Sequence, residues 1–71
     1  MKRQPSVHSR LAALRRNSLL TQEQLAREVD VTRQTIISIE KGNYVPSVLL
    51  ALKLAQVFTV SVEEIFYYED H

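Results

Sequence analysis

The chain has 71 residues, 45% hydrophobic and 24% charged, with no cysteine and a net charge of +1. That suffices for one domain with one modest core, and it is too short for a catalytic domain with its own lid. The hydrophobic share excludes a disordered chain and the charged share a membrane protein, while the missing thiols remove disulfides and thiolate metal sites.

Punctuation divides the chain into a loose segment over 1–6, a domain over 7–68 and a short tail over 69–71. No stretch near 20 residues is apolar, and Met1-Lys2-Arg3-Gln4-Pro5 is not followed by a signal-peptide core, so a cytoplasmic location is expected. The first helix is expected to begin between Ser6 and Ser9 and to run to about Asn17, with Leu11 and Leu14 inward. Thr21 caps the second, where Gln24 three residues on completes a capping box and Leu25, Ala26 and Val29 form the buried stripe. Thr32 caps the third, which ends at Gly42, the only glycine and a left-handed C-cap candidate. Ser47, after Pro46, opens a fourth helix over about 48–58, and Ser61 a fifth, with a second capping box through Glu64. Five short helices with brief connections predict an all-α domain.

Only Val29-Asp30-Val31-Thr32 separates the second and third helices. So short a gap makes the helices cross steeply, as in a helix-turn-helix, or else builds a plain helical hairpin. The outer face of the third helix decides. At about 100° per residue, Ile36, Ile39 and Glu40 share one side, and Gln34, Ile37, Ser38 and Lys41 fall opposite, with Arg33 beside them. That outer stripe suits a DNA major groove. Gln pairs bidentately with adenine and Arg with guanine, Ser meets several base edges, and an apolar group meets the thymine methyl. Ile37 is therefore either a thymine-methyl reader or one of the scattered surface hydrophobes that need no explanation. Lys41, at the far end, falls nearer phosphate.

Charge is unevenly spread. Residues 1–45 carry eight cations against four carboxylates, and residues 46–71 one cation against four. A basic half that faces a polyanion and an acidic half that avoids it fit this distribution, as does ordinary solvated surface. His8 and His71 lie near opposite ends without a carboxylate or cysteine at ligand spacing. No triad-like constellation or glycine-rich phosphate loop is present, so no enzyme, metal, cofactor or small-molecule ligand is read here.

Two further features concern packing. Arg15 lies on the side of Leu11 and Leu14, and Glu40 on the side of Ile36 and Ile39. Two charges facing one small core call for pairing, since an isolated buried charge is costly; the alternative is that each snorkels to solvent. In the fourth helix, Val48, Ala51, Ala55 and Phe58 are assigned inward. Leu49, Leu50, Leu54 and Val57 are then left over, and Phe66, Tyr67 and Tyr68 extend the surplus. A two-fold homodimer built on that set is expected, against the alternative that it closes the monomer core.

The run Leu20-Thr21-Gln22-Glu23-Gln24-Leu25-Ala26-Arg27-Glu28-Val29, then Val31-Thr32-Arg33-Gln34-Thr35-Ile36 and Ile39-Glu40-Lys41-Gly42, resembles the Cro and lambda-repressor type of helix-turn-helix regulator. Pro46-Ser47, Leu52-Lys53-Leu54-Ala55 and Val60-Ser61-Val62-Glu63-Glu64-Ile65-Phe66 are similar to its small bacterial and archaeal members. The resemblance covers about residues 7–68. It implies a five-helix fold, with the third helix reading double-stranded DNA at a pseudo-palindromic operator and the protein acting as a dimeric regulator of the repressor kind. Carried over by position, Arg33, Gln34 and Ser38 address base edges with Ile37 in the same stripe. Gln22, Thr32, Thr35, Lys41 and Asn43 hold the backbone. An Arg15–Glu40 pair is also implied. An antitoxin or other protein-interaction module on the same fold is the alternative; it would need an extra gripping segment. The chain departs from the family at three places. Glycine is usual in the tight turn and after the fourth helix, where Asp30 and Thr59 stand. Both places favour positive φ, which Asp tolerates and β-branched Thr resists. Leu49 stands where polar residues are common.

Overall fold

The computed structural model describes residues 5–70. Its elements follow in the order β1 (Pro5–Ser9), α1 (Leu11–Asn17), α2 (Gln22–Glu28), α3 (Arg33–Glu40), α4 (Val48–Phe58), α5 (Val62–Ile65) and β2 (Phe66–Asp70). Residues 1–4 and His71, which belong to the expected end segments, lie outside the described residues.

Side chains set the helix starts. Thr21 Oγ1 accepts from the Gln24 N–H at 3.0 Å, and Gln24 Oε1 accepts from the Thr21 N–H at 2.9 Å, a reciprocal capping box. Thr32 caps α3 through the Thr35 N–H, and Ser47 caps α4 through the Leu50 N–H. At α5, Glu64 Oε2 accepts from both the backbone N–H and the hydroxyl of Ser61, at 2.8 and 3.0 Å. The backbone bond, then the hydroxyl, holds the Glu64 carboxyl below its ordinary value of 4.5. A carboxyl depressed on folding contributes stability above its unfolded pKa, and that contribution is lost as pH falls through the folded value.

The first four helices end alike. Leu19, Asp30, Gly42 and Thr59 all have positive φ, between 56° and 80°. The next residue's N–H reaches back five positions: Leu20 to Arg15 O, Val31 to Ala26 O, Asn43 to Ser38 O and Val60 to Ala55 O. This is the Schellman closure, and it satisfies carbonyls that the helix end would orphan. Leu20, Val31 and Val60 then pack against the core, so each closure also turns an apolar residue inward. Thr59 adopts the left-handed conformation at φ 56°, ψ 46°, and the α4–α5 connection keeps the usual shape without glycine.

Leu11, Leu25, Ala26, Val29, Ile36, Ile39, Leu50, Leu54, Ala55 and Ile65 form the core cluster, which draws on all five helices. This corrects the inward face expected for α4. Val48 is 76% exposed, whereas Leu50 and Leu54 are buried beside Ala51 and Ala55. The two expected stripes are one broad face, because positions i, i+1, i+4 and i+5 adjoin on a helix; only Val48 and the side of Leu49 and Leu52 fall outside it.

The molecule is mostly helical but not strictly all-α. Strands β1 and β2 pair antiparallel, with Val7 opposite Tyr68, His8 opposite Tyr67 and Ser9 opposite Phe66. The Arg10 N–H donates to Ile65 O at 2.7 Å, so the ladder runs on to the edge of the helical body. Helix α1 accordingly starts at Leu11 rather than between Ser6 and Ser9, because the residues before it pair with the far end of the chain. Phe66, Tyr67 and Tyr68, aromatics that suit a pleated strand, supply the other side. Among the described residues no helix is long and apolar enough to cross a membrane.

Candidate nucleic-acid interface

Helices α2 and α3 are joined by Val29, the left-handed Asp30, Val31 and the cap Thr32, so the chain reverses within one Schellman turn. Leu25, Ala26 and Val29 from α2 and Ile36 and Ile39 from α3 are all buried, which fixes the two helices against each other and leaves the opposite side of α3 outward. On that outward side Arg33, Gln34 and Lys41 are exposed, and Ile37 and Ser38 are half-buried. The structure thus brings the expected base-reading residues onto one face. Arg27 approaches Glu23 at 3.8 Å and Lys53 approaches Asp30 at 3.9 Å, whereas Arg33 and Lys41 meet no carboxylate among the described residues.

The backbone-holding candidates frame the same helix. Thr32 and Thr35 stand at its N-terminus with hydroxyls 3.1 Å apart. Asn43 is exposed just beyond its C-terminus, its N–H held by Ser38 O. Gln22, the first residue of α2, is half-buried, and its side chain reaches α3.

Arg15 and Glu40 meet beneath this face, with side chains 11% and 7% exposed. Arg15 Nε donates to Glu40 Oε2 at 2.6 Å and its Nη2 to Oε1 at 3.3 Å, a fork-like pairing of guanidinium and carboxylate. The third nitrogen, Nη1, donates to Leu20 O at 2.8 Å, and Gln22 Nε2 donates to Glu40 Oε1 at 3.1 Å. The network therefore ties α1, the turn after it, α2 and the end of α3. Sequence reasoning missed the part of Gln22. No spacing rule links residues 18 apart, and only the crossing of α2 over the end of α3 makes them neighbours.

The expected dimer residues divide. Leu50 and Leu54 are core residues and are withdrawn from that set, since neither is free to meet a partner. Val57 and Phe66 are half-buried against the core. Tyr67 spends its ring at home: His8 stacks on it at 5.2 Å between centroids, and the Arg10 guanidinium lies 4.1 Å from its centre. Leu49 and Tyr68 are exposed, at 63% and 66%. The exposed apolar side chains that sequence reasoning missed are Val48 and Leu52, which adjoin Leu49 on α4, and Val45 in the loop before it. Its signal was the surplus of large apolar residues in that helix, assigned to the wrong side.

Comparison with known proteins agrees with this geometry. The profile of the helix-turn-helix family matches residues 11–65, from the start of α1 to the end of α5. An uncharacterized HTH-type transcriptional regulator of Methanocaldococcus jannaschii is 61% identical over 51 residues, covering 72% of this chain and 77% of its own. A second, from Bacillus subtilis, is 45% identical over 64 residues, 90% of this chain and 97% of its own. A third, from Archaeoglobus fulgidus, is 42% identical over 64 residues, 90% and 91% of the two chains. The chain belongs to the Cro/C1-type helix-turn-helix family of DNA-binding transcriptional regulators.

Proposed function

We propose that the protein binds double-stranded DNA sequence-specifically, with α3 in the major groove, and acts as a dimeric repressor of transcription at a pseudo-palindromic operator. The observation that carries this reading is the two-sidedness of α3. Its inner side is locked by Ile36, Ile39 and the Glu40 network, while its outer side offers Arg33, Gln34 and Ser38 with cations that no carboxylate among the described residues approaches. A rigid helix presenting bidentate donors is what base-edge readout requires. In this reading Arg33 addresses guanine, Gln34 adenine and Ile37 a thymine methyl. Thr32, Thr35, Lys41, Asn43 and Gln22 grip the phosphates.

The dimer is supported by the apolar face of α4. Val48, Leu49 and Leu52 on that helix, and Val45 in the loop before it, are each more than half exposed, apolar surface that a monomer would leave in water. A second copy pairing there would present two recognition helices to successive major grooves, about 34 Å apart. The test is selection of bound duplexes from a random pool, followed by titration of the enriched sequence. Enrichment of a two-fold symmetric site whose preference collapses on Arg33→Ala or Gln34→Ala is the expected result. A pool that stays random, with no duplex bound above background, overturns the proposal. Repression is read separately, from a reporter placed behind the selected site.

A further inference from the structure

Glu40 has two neighbours of different kinds, and the second bears on DNA contact. Its Oε1 accepts from both Arg15 Nη2 and Gln22 Nε2, while Oε2 takes the Arg15 Nε. A carboxylate only accepts, so chemistry fixes which end of the Gln22 amide faces it: the nitrogen must point to Glu40. An amide tied this way cannot flip its carbonyl and nitrogen, an exchange that costs an untethered glutamine little. One N–H of Nε2 is used by Glu40, and the other remains on the same nitrogen.

We propose that Glu40 is a positioning residue for DNA binding, holding the Gln22 amide so that an N–H, and not the carbonyl, meets a DNA phosphate. This rests on the reading above, in which Gln22 touches the DNA backbone. Phosphate, like carboxylate, only accepts here, so a flipped amide would set oxygen against oxygen. Arg15 is the other half of the device. A bare carboxylate beneath the interface would repel the phosphate it helps to bind, and the guanidinium cancels that charge at 2.6 Å. The ion pair thus serves as a neutral clamp on a neutral donor, as well as a joint between helices.

The clamp makes two measurable demands. On the selected duplex and on a random one, Gln22→Ala weakens binding by about three- to tenfold, the range of one hydrogen bond. The salt dependence keeps its slope, since an uncharged donor displaces no counterion. Glu40→Gln, with its fold checked by circular dichroism, frees the Arg15 charge alike in both backgrounds, so its effect on binding is less favourable in the wild-type than in the Gln22→Ala background by about that same three- to tenfold. An equal effect in both backgrounds, or no loss for Gln22→Ala, overturns the clamp. The unaltered protein gives the second measurement, through the two side-chain amide protons of Gln22 in nitrogen-edited NMR. Addition of the random duplex shifts one proton and leaves its Glu40-bonded partner in place; if both move, or neither does, the clamp is overturned. A wild-type protein that binds no duplex at all refutes the function itself, whereas binding with additive variants refutes only the clamp.

Discussion

At the scale of single residues, the proposed function assigns base reading and backbone anchoring to different side chains on the outer face of α3. Gln34 is exposed in the first turn of α3, and in the proposed reading its amide sets the preference at one base pair. Gln34→Ala is expected to weaken specific binding by about 1–3 kcal/mol and relax selectivity at one position. Lys41→Ala is expected to weaken all sequences alike and flatten the salt dependence by about one unit of slope. Titrations at several salt concentrations distinguish the two patterns, and unchanged base preference after Gln34→Ala would show that α3 is not the reader. The left-handed caps give a second residue-level expectation. Thr59 is β-branched and exposed at φ 56°, so it bears the strain of that conformation with little packing in return. Thr59→Gly should raise stability by about 1 kcal/mol, a gain in Tm of about 4–8 °C for a domain of this size. A lower Tm would mean that the side chain supplies more than its strain costs. Gly42 was readable as such a cap and Asp30 and Thr59 as places inclined to positive φ. Leu19 was not, because nothing about a leucine announces that conformation.

Elements are joined by a few buried side chains, and two substitutions weigh them. Arg15 and Glu40 link α1 to α3 with little exposure, so loss of either partner leaves the other's charge unpaired and largely removed from solvent. Each single truncation should cost about 3–5 kcal/mol, well above a surface pair. A double-mutant cycle in urea should then show strong coupling; independent losses would mean the two charges do not depend on each other. On α4, Leu54 is fully buried, and Leu54→Ala should cost about 2–5 kcal/mol in the same assay. An effect below about 1 kcal/mol would contradict its place in the core. The caps at Thr21, Thr32, Ser47 and Ser61 were legible because capping is a local contest between a side chain and the next turn's N–H groups. The sheet was not. Its two strands are separated by the whole helical body, and neither five-residue segment carries enough alternation to announce its partner.

For the molecule as a whole, the open expectation is assembly. Val48 and Leu49 head the exposed face of α4, and a glutamate at Val48 would place a charge in the middle of any pairing there. Sedimentation equilibrium at micromolar concentration is expected to find a dimer for the wild type and a monomer for Val48→Glu, with the helical circular dichroism spectrum retained. A wild-type monomer both free and on a single half-site, with no gain from a second half-site, would leave a DNA-binding domain without the dimer.

Sequence alone pointed to five helices, the N-caps of α2 to α5, the turn between α2 and α3 and the outward face of α3, and the cost of a stranded charge favoured the pairing of Arg15 with Glu40 that the family resemblance also implied. All of these follow from periodicity, from local hydrogen-bonding competition or from the cost of stranding a charge in a small core, and each is written within a few residues or in one charge pair. Tertiary structure alone decided which side of α4 is buried, since that helix is apolar almost all round and only its neighbours choose a face. It likewise decided that the chain's two ends close as a sheet and that the Gln22 amide reaches Glu40. Both contacts join segments that no local energy term connects, and they exist only because the packed helices bring them within hydrogen-bonding distance.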